Sequence, residues 1–374
     1  MNGTRATAGS PKPFKKIVLV IPTIRENNFR DFLKRWNDIG LFEHVDLFVM
    51  EDNPKKTFDL HEICSGWNGS AFWQHFCWED IEKDLGEKSW IIPRRSDTVR
   101  SFGYLKAWQA GYEYVLTLDD DCYPPSEVDG LTYSNGEAFV KEHLKALEGR
   151  TRWFNTLNEV KPRGIPFYNL GKNDKVVVNH GLWTNVIDYD APYQLANPIP
   201  EVFSFDNRIV PNGLYFPMCG MNVMWKTDVT VLMYHLLMGQ QYLPPKGNDA
   251  LIPGYQPALR KLAFDRFGDI WCGIFMKKIV DIKGAQVSTG MPYIRHERAS
   301  NPFTNLKKEA NGIEVNEKLW EYVDKFTFDL SLSWAKAYHK LGVYIMGFKE
   351  YPEHEKYFVD LGESMRQWAV LFGA

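Results

Sequence analysis

A short apolar run, Tyr114-Val115-Leu116-Thr117-Leu118, passes without a break into three carboxylates, Asp119-Asp120-Asp121. Adjacent carboxylates repel one another and lose hydration at a strand end, so something must offset their charge. In extended backbone alternate side chains share a face, so Asp119 and Asp121 are expected to converge on one cation. Hard oxygen ligands favour Mg²⁺ or Mn²⁺, ions that usually hold substrate phosphates as well. Open α/β sheets bind their ligands beyond the carboxyl ends of the strands, which is where this triplet falls.

The flanking sequence supplies such a sheet. Residues 17–21, rich in Val and Ile and closed by Pro22, read as a buried parallel strand. Phe29, Phe32, Leu33 and Trp36 recur at helical spacing over 27–39, and 45–53 (VDLFVMEDN) is the next strand, which makes a βαβ unit. Ser96 is placed to cap a helix that runs through Phe102, Leu105 and Trp108 and stops at Gly111. The first ~125 residues therefore form a nucleotide-binding half, with strand ends at 22–25, 51–53 and 119–121 facing one crevice. Residues 57–93 are less regular and carry Trp67, Trp73 and Trp78. The stretch 126–312, rich in Gly, Pro, Asn and aromatics, is where a sugar or acceptor would sit. From Ile313 the pattern is helical, with one stripe of Trp320, Val323, Phe326, Leu330 and Trp334 and another of Phe358, Leu361, Met365 and Trp368. The expected organisation is a disordered lead-in over 1–15, an α/β unit over 16–312 and a helical extension over 313–374.

A net charge of −3, from 44 Lys+Arg and 47 Asp+Glu, gives no general pull toward nucleic acid or anionic lipid. The apolar stretches fall well short of the ~20 residues that cross a bilayer. Residues 1–16 are polar and basic, without the apolar core of a signal peptide. Five scattered cysteines without a CxxC pair argue against a disulfide framework or a Cys-type zinc site. The expectation is a reduced, cytoplasmic protein with no membrane span and no nucleic-acid partner. Its 13 Trp suit either a heavy core or a surface that stacks bases and sugars.

Segments spread in order over 17–309 carry a family resemblance. They are IPTIR (21–25), VRSFGY (99–104) before LDDDC (118–122), HGLW (180–183) with DYDAP (188–192), FPMCGMN (216–222), DIWCG (269–273) and GMPYIRHERASNPFTNLKKE (290–309). Together they resemble the reversibly glycosylated polypeptides, also called UDP-arabinopyranose mutases. The resemblance implies a GT-A-like, Rossmann-type α/β sheet with helices on both faces, binding a UDP-sugar with Mn²⁺ or Mg²⁺ at a DxD motif. It implies interconversion of the pyranose and furanose forms of a UDP-pentose, with reversible attachment of the sugar to an arginine. The arginine it points to is Arg100. Homo- or hetero-oligomers of family members and peripheral association with a secretory organelle are consistent with it. A UDP-sugar glycosyltransferase with an external acceptor, or a non-catalytic nucleotide-sugar-binding subunit, would use the same site.

Each candidate residue has a chemical role and a plainer alternative. A guanidinium is cationic and no nucleophile, so attack by Arg100 needs a nearby carboxylate to take its proton or an oxocarbenium-like sugar. Read from the residues alone, Arg100 is a phosphate clamp or a salt-bridge partner. His296, ending a strand-like run, is expected to join Asp119 and Asp121 as a third metal ligand, or else to be a structural His. Asp269 is a candidate proton acceptor or binder of sugar hydroxyls, or a helix N-cap. Thr23, Arg25 and Asp52 are expected to meet the uridine or its ribose, with a salt bridge as the alternative for Arg25. Arg94 and Arg95 either neutralise the diphosphate or pair with Glu79, Asp80 or Asp84; Arg95 is taken as substrate-binding. Trp183 offers a face to a sugar, and Asp188 and Asp190 can bond its hydroxyls. Gly220 lets backbone approach a ligand closely, beside Asn222 as a substrate-binding candidate and Cys219 as a packed thiol.

Overall fold

The structure, a computed structural model, describes residues 15–65, 72–153, 162–186, 188–196, 207–243, 258–297 and 301–374. The expected lead-in lies outside the described residues up to position 14, as does Trp67. Strand β1 (Ile17–Thr23) is buried along its whole length, so both its faces are covered and its sequence needs no polar alternation. It is followed by α1 (Glu26–Asp38), β2 (Asp46–Glu51), α2 (Leu60–Ile63), β3 (Trp73–Phe76), α3 (Trp78–Leu85), α4 (Arg100–Ala110) and β4 (Tyr114–Leu118). These strands are parallel in the order β3-β2-β1-β4, so the winding reverses between β1 and β4. Two cores result, one on each face. Leu19, Ile21, Leu47 and Val49 meet the Phe29, Phe32, Leu33 and Trp36 stripe of α1. Val18, Val20, Phe48 and Met50 meet Phe102 and Leu105 of α4.

The sheet continues well past β4. The chain adds β5 (Cys122–Tyr123), α5 (Gly136–Glu148), β6 (Arg150–Thr151), β7 (Lys172–Asn173), β8 (Val176–Asn185), α6 (Ala191–Ala196) and β9 (Arg208–Ile209). Then come β10 (Asn222–Lys226), β11 (Gln240–Leu243), β12 (Ala258–Lys261), α7 (Gly268–Ile282) and β13 (Gln286–His296). Beyond β4 the order is β10-β8-β13-β5, with β9 also on β13. Because β10 is antiparallel to both β4 and β8, and β13 is parallel to β8, strands β8 and β13 point the same way as β1, β2 and β4. The carboxyl ends of β1, β2, β3, β4, β8 and β13 and the start of β10 therefore share one edge. Pairing of His296 with Cys122 brings the end of β13 beside the acidic triplet. The middle of the chain, expected to be mainly a sugar or acceptor region, supplies half the sheet.

Helices α8 (Pro302–Asp324), α9 (Trp334–Ile345) and α10 (Glu355–Val370) complete the chain. A boundary at 312/313 falls inside α8, and residues of α9 and α10 share one core with Val18 and Phe48 of the sheet. The stripe expected from Trp320 to Trp334 is two helices with a break: Val323 and Phe326 are buried, whereas Trp320 and Leu330 are exposed. The second stripe, Phe358, Leu361, Met365 and Trp368, is wholly buried. Among the described residues no helix is long and apolar enough to cross a membrane.

Candidate functional site

A cavity of about 260 Å³ opens at the point where the winding reverses, lined in part by Thr23, Arg25, Asp52, Arg100, Asp119 and Asp120. The acidic triplet on its floor is a turn and not extended strand: β4 ends at Leu118, and the Cys122 N–H donates to the Asp119 carbonyl at 3.1 Å. Strand alternation therefore does not apply, and each carboxylate has its own surroundings. Asp120, 3% exposed, accepts from Thr23 Oγ1 (2.8 Å) and from the Arg25 guanidinium. Asp119 accepts from Arg100 Nη2 at 2.5 Å. Asp121 lies 3.6 Å from Arg25 Nη2 and 3.9 Å from His296 Nε2. His296 Nδ1 is 2.8 Å from the Val186 carbonyl, to which only a protonated nitrogen can donate. The neutral ring then carries its lone pair on Nε2, toward Asp121, the tautomer a metal-binding His adopts. Asp121 and His296 thus fit a hard cation, while the third expected ligand, Asp119, is held by Arg100. Among the described residues no three His, Cys, Asp or Glu side chains are gathered at metal-ligand spacing.

Arg100 opens α4 and is 1% exposed. Its Nε donates to the Asp97 carbonyl (3.0 Å), Nη1 to Thr117 Oγ1 (3.2 Å) and the Gly220 carbonyl (2.8 Å), and Nη2 to Asp119 and to Asp97 Oδ2 (3.5 Å). All five N–H donors of the guanidinium are engaged. Burial opposes its charge, but the attraction of Asp119 in particular raises its pKa well above the ordinary value. Arg100, the residue expected to receive the sugar, is in this structure bonded through every donor to the protein itself. A buried, permanently charged and fully bonded guanidinium is a clamp that fixes Asp119 and the Gly220 backbone.

Gly220 is the junction of that clamp with Asp269. Its carbonyl faces Arg100 and its N–H donates to Asp269 Oδ2 at 2.9 Å. A side chain there would stand 2.8 Å from His235 Cε1 and 3.3 Å from Arg100 Nη1, so only glycine passes. Asp269, half-buried in the first turn of α7, has its pKa pushed up to about 7 by burial and then by repulsion from Asp97, against the pull of Arg100. Asp188, after the end of β8, reaches solvent. Its carboxyl is nonetheless enclosed enough for burial to raise its pKa, with Asp119 adding repulsion. Cys219 is a buried thiol whose pKa burial pushes well up, as expected of a packed side chain.

The rim on the β2 side is built around Asp52, which accepts from Trp78 Nε1 (2.7 Å) and from the Arg95 N–H (3.1 Å). Arg95 is exposed, adopts the left-handed region (φ 57°) and lays its guanidinium 4.9 Å over the Trp78 ring. Arg94 turns inward and is buried against Trp78 and Tyr242, away from the ion pairs expected for it. Trp183 is half-buried, with its ring packed edge-on against His180. Asp190 accepts from the Tyr193 N–H (2.9 Å) and caps α6; it is Asp188, two residues earlier, whose charge bears on Asp119 and His296. Asn222 is wholly buried, donating to the Leu182 and Pro292 carbonyls and accepting from His143, so it ties β10 to β8, β13 and α5. The structure thus gathers Thr23, Arg25, Asp52, Arg95, Arg100, Asp119, Asp121, Asp269 and His296 at one edge. Trp183, Asp190 and Asn222 have framework partners. Asp97 and Arg266, which sequence patterning did not single out, complete the charged rim; only their closeness in sequence to Arg100 and Asp269 hinted at them.

A wound α/β sheet with a charged crevice at its switch point and a histidine poised beside an acidic turn is the architecture of a ligand-binding α/β protein. The chain belongs to the reversibly glycosylated polypeptide family, whose sequence model matches residues 14–373. It is 31% identical to a probable UDP-arabinopyranose mutase 1 of Zea mays, over 98% of this chain and 94% of that one. It is 32% identical to UDP-arabinopyranose mutase 1 of Oryza sativa subsp. japonica (94% and 88% covered) and 33% to UDP-arabinopyranose mutase 1 of Arabidopsis thaliana (80% and 76%). Among solved structures, S. aureus TarS 1–349 in complex with UDP-GlcNAc aligns over 92% of this chain and 70% of that one, with 12% identity and a TM-score of 0.36, too slight a likeness to argue from.

Proposed function

We propose that the crevice binds a UDP-sugar with a divalent cation and that the protein interconverts the pyranose and furanose forms of a UDP-pentose. The names of its relatives and the family resemblance point that way, and Asp269 is the observation that carries it. Exchange of ring size breaks the bond from the anomeric carbon to one ring oxygen and makes a bond to another. One oxygen gains a proton and the other loses one. A group that both accepts and donates at neutral pH suits this, and Asp269, with a pKa of about 7, is such a group. Asp121 and His296 would hold Mn²⁺ or Mg²⁺, whose charge stabilises a departing diphosphate. Arg100 keeps Asp119 and the Gly220 peptide in register with Asp269. Transient attachment of the sugar to an arginine belongs to this reading, and we expect it on a more exposed arginine than Arg100. The test is incubation with UDP-arabinopyranose and Mn²⁺, with nucleotide chromatography, intact mass and peptide mapping. UDP-arabinofuranose and a pentose adduct reversed by UDP are expected. UDP release coupled to an added acceptor, without furanose, would make the protein a transferase; binding without turnover would make it a binding subunit.

A further inference from the structure

Arg266 stands three residues before Asp269 and adopts the left-handed region (φ 64°), which a side chain of this kind occupies only when its surroundings enforce it. Glu309 of α8 holds its side chain. Arg266 Nε donates to Glu309 Oε1 at 2.8 Å, and Glu309, itself 5% exposed, takes the Ala191 N–H on its other oxygen at 2.8 Å. One buried carboxylate therefore ties together the turn that leads into α7 and the start of α6 just after Asp188, beside Asp97 of the crevice. The tether occupies only Nε. Among the described residues Nη1 and Nη2 have no hydrogen-bond partner, and the side chain is 34% exposed. Asp188 and Asp97 both act electrostatically on this guanidinium, and Asp269 hangs from the same turn.

Open donors beside several carboxylates make a surface of alternating donors and acceptors. That surface matches neighbouring hydroxyls, each of which donates and accepts, whereas the carboxylates repel a phosphate. We propose that Arg266 and Asp188 form the sugar-hydroxyl-binding end of the crevice, with Glu309 as the positioning residue that sets both, so that this trio determines which sugar the site accepts. This rests on the UDP-sugar reading above.

Titration calorimetry with UDP and with UDP-arabinopyranose, both with Mn²⁺, separates the outcomes for wild type, Arg266→Gln and Glu309→Gln. Arg266→Gln should leave UDP affinity within about twofold and weaken UDP-arabinopyranose about 10- to 100-fold, the worth of hydrogen bonds from a charged group. Glu309→Gln should show the same split at smaller size, because glutamine still accepts from Ala191. Should Arg266→Gln fail to fold, Arg266→Gly, suited to the left-handed backbone, replaces it with the same expected split. Equal weakening of UDP and UDP-arabinopyranose, or no change in either, would overturn the proposal. Failure of the wild type to bind UDP-arabinopyranose would instead strike the UDP-sugar reading itself.

Discussion

Asp269 keeps its proton to about pH 7 because burial, and then Asp97, penalise its charge. For an acid, a raised pKa in the fold means that above the ordinary carboxylate range the folded state binds more protons than the unfolded one. Its stability contribution is full below the unfolded pKa and is lost progressively as pH rises to about 7. Asp269→Asn, which can still accept from Gly220, should flatten that slope. Thermal melts should show the variant gaining on wild type between pH 5 and 8. Under the mutase reading the same change should lower turnover about 100-fold or more, and wild-type turnover should fall below pH 7. Arg100 makes the opposite kind of prediction. Arg100→Met leaves Asp119 and the Gly220 carbonyl without their donor and should destabilise by about 3–5 kcal/mol, the range for breaking a buried ion pair. Denaturant titration would show it. A variant as stable as wild type that had lost a pentose adduct would return Arg100 to the role of sugar acceptor.

The elements read correctly from sequence are those with a single apolar signal: β1 as a Val- and Ile-rich run, β2 and β4 as short apolar runs ending in acidic residues, α1 as a stripe. Those missed as strands bury polar residues that are satisfied only across the sheet. Asn179 and His180 of β8 bond Ser288, His143, Thr289 and the Cys219 N–H, and Asn222 opens β10 with three partners of its own. Strand β13 was visible only as GMPYIRH, its second half; Ser288 in the first half, like Asn179 of β8 opposite, is a buried polar residue satisfied across the sheet. In the site, the triplet and the neighbours Arg25, Arg100 and His296 were legible, but not which carboxylate each one meets, since a turn replaced the assumed strand. Helix α4 offers a test of element packing. A Cβ on Gly103 would stand 2.5 Å from Val20 Cγ1 and 3.0 Å from Met50 Cγ, so Gly103→Ala should cost about 1–3 kcal/mol as the helix lifts from the sheet. Gly111→Ala meets no atom within 4 Å and disturbs only its left-handed backbone (φ 80°), at about 1 kcal/mol. Equal losses at the two positions would mean that close packing of α4 on β1 does not matter to stability.

At the scale of the molecule, the C-terminal helices and the crevice are parts of one body. Trp368 of α10 stacks on Tyr234 with ring centroids 5.0 Å apart and donates to the Val231 carbonyl at 2.9 Å. Tyr357 donates to the Leu237 carbonyl at 2.8 Å. These partners lie on the buried stretch 229–238, which also carries His235, the ring that closes off Gly220 beside Arg100. An unbroken line of contact thus runs from α10 to the clamp that aligns Asp119 with Asp269. Trp368→Ala should therefore cost about 3–5 kcal/mol, as expected for emptying a filled core site. It should do so in one transition shared with the sheet, because α9 and α10 share one core with it. A chain ended at residue 350 loses Tyr357, Phe358, Leu361, Met365 and Trp368 from the core together, and should fail to reach a native melt or to bind UDP. Calorimetry on the truncated and full chains decides the matter. A sharp melt with unchanged UDP affinity after truncation would make α10 an appendage, and would remove the reason for expecting changes in α10 to reach the clamp.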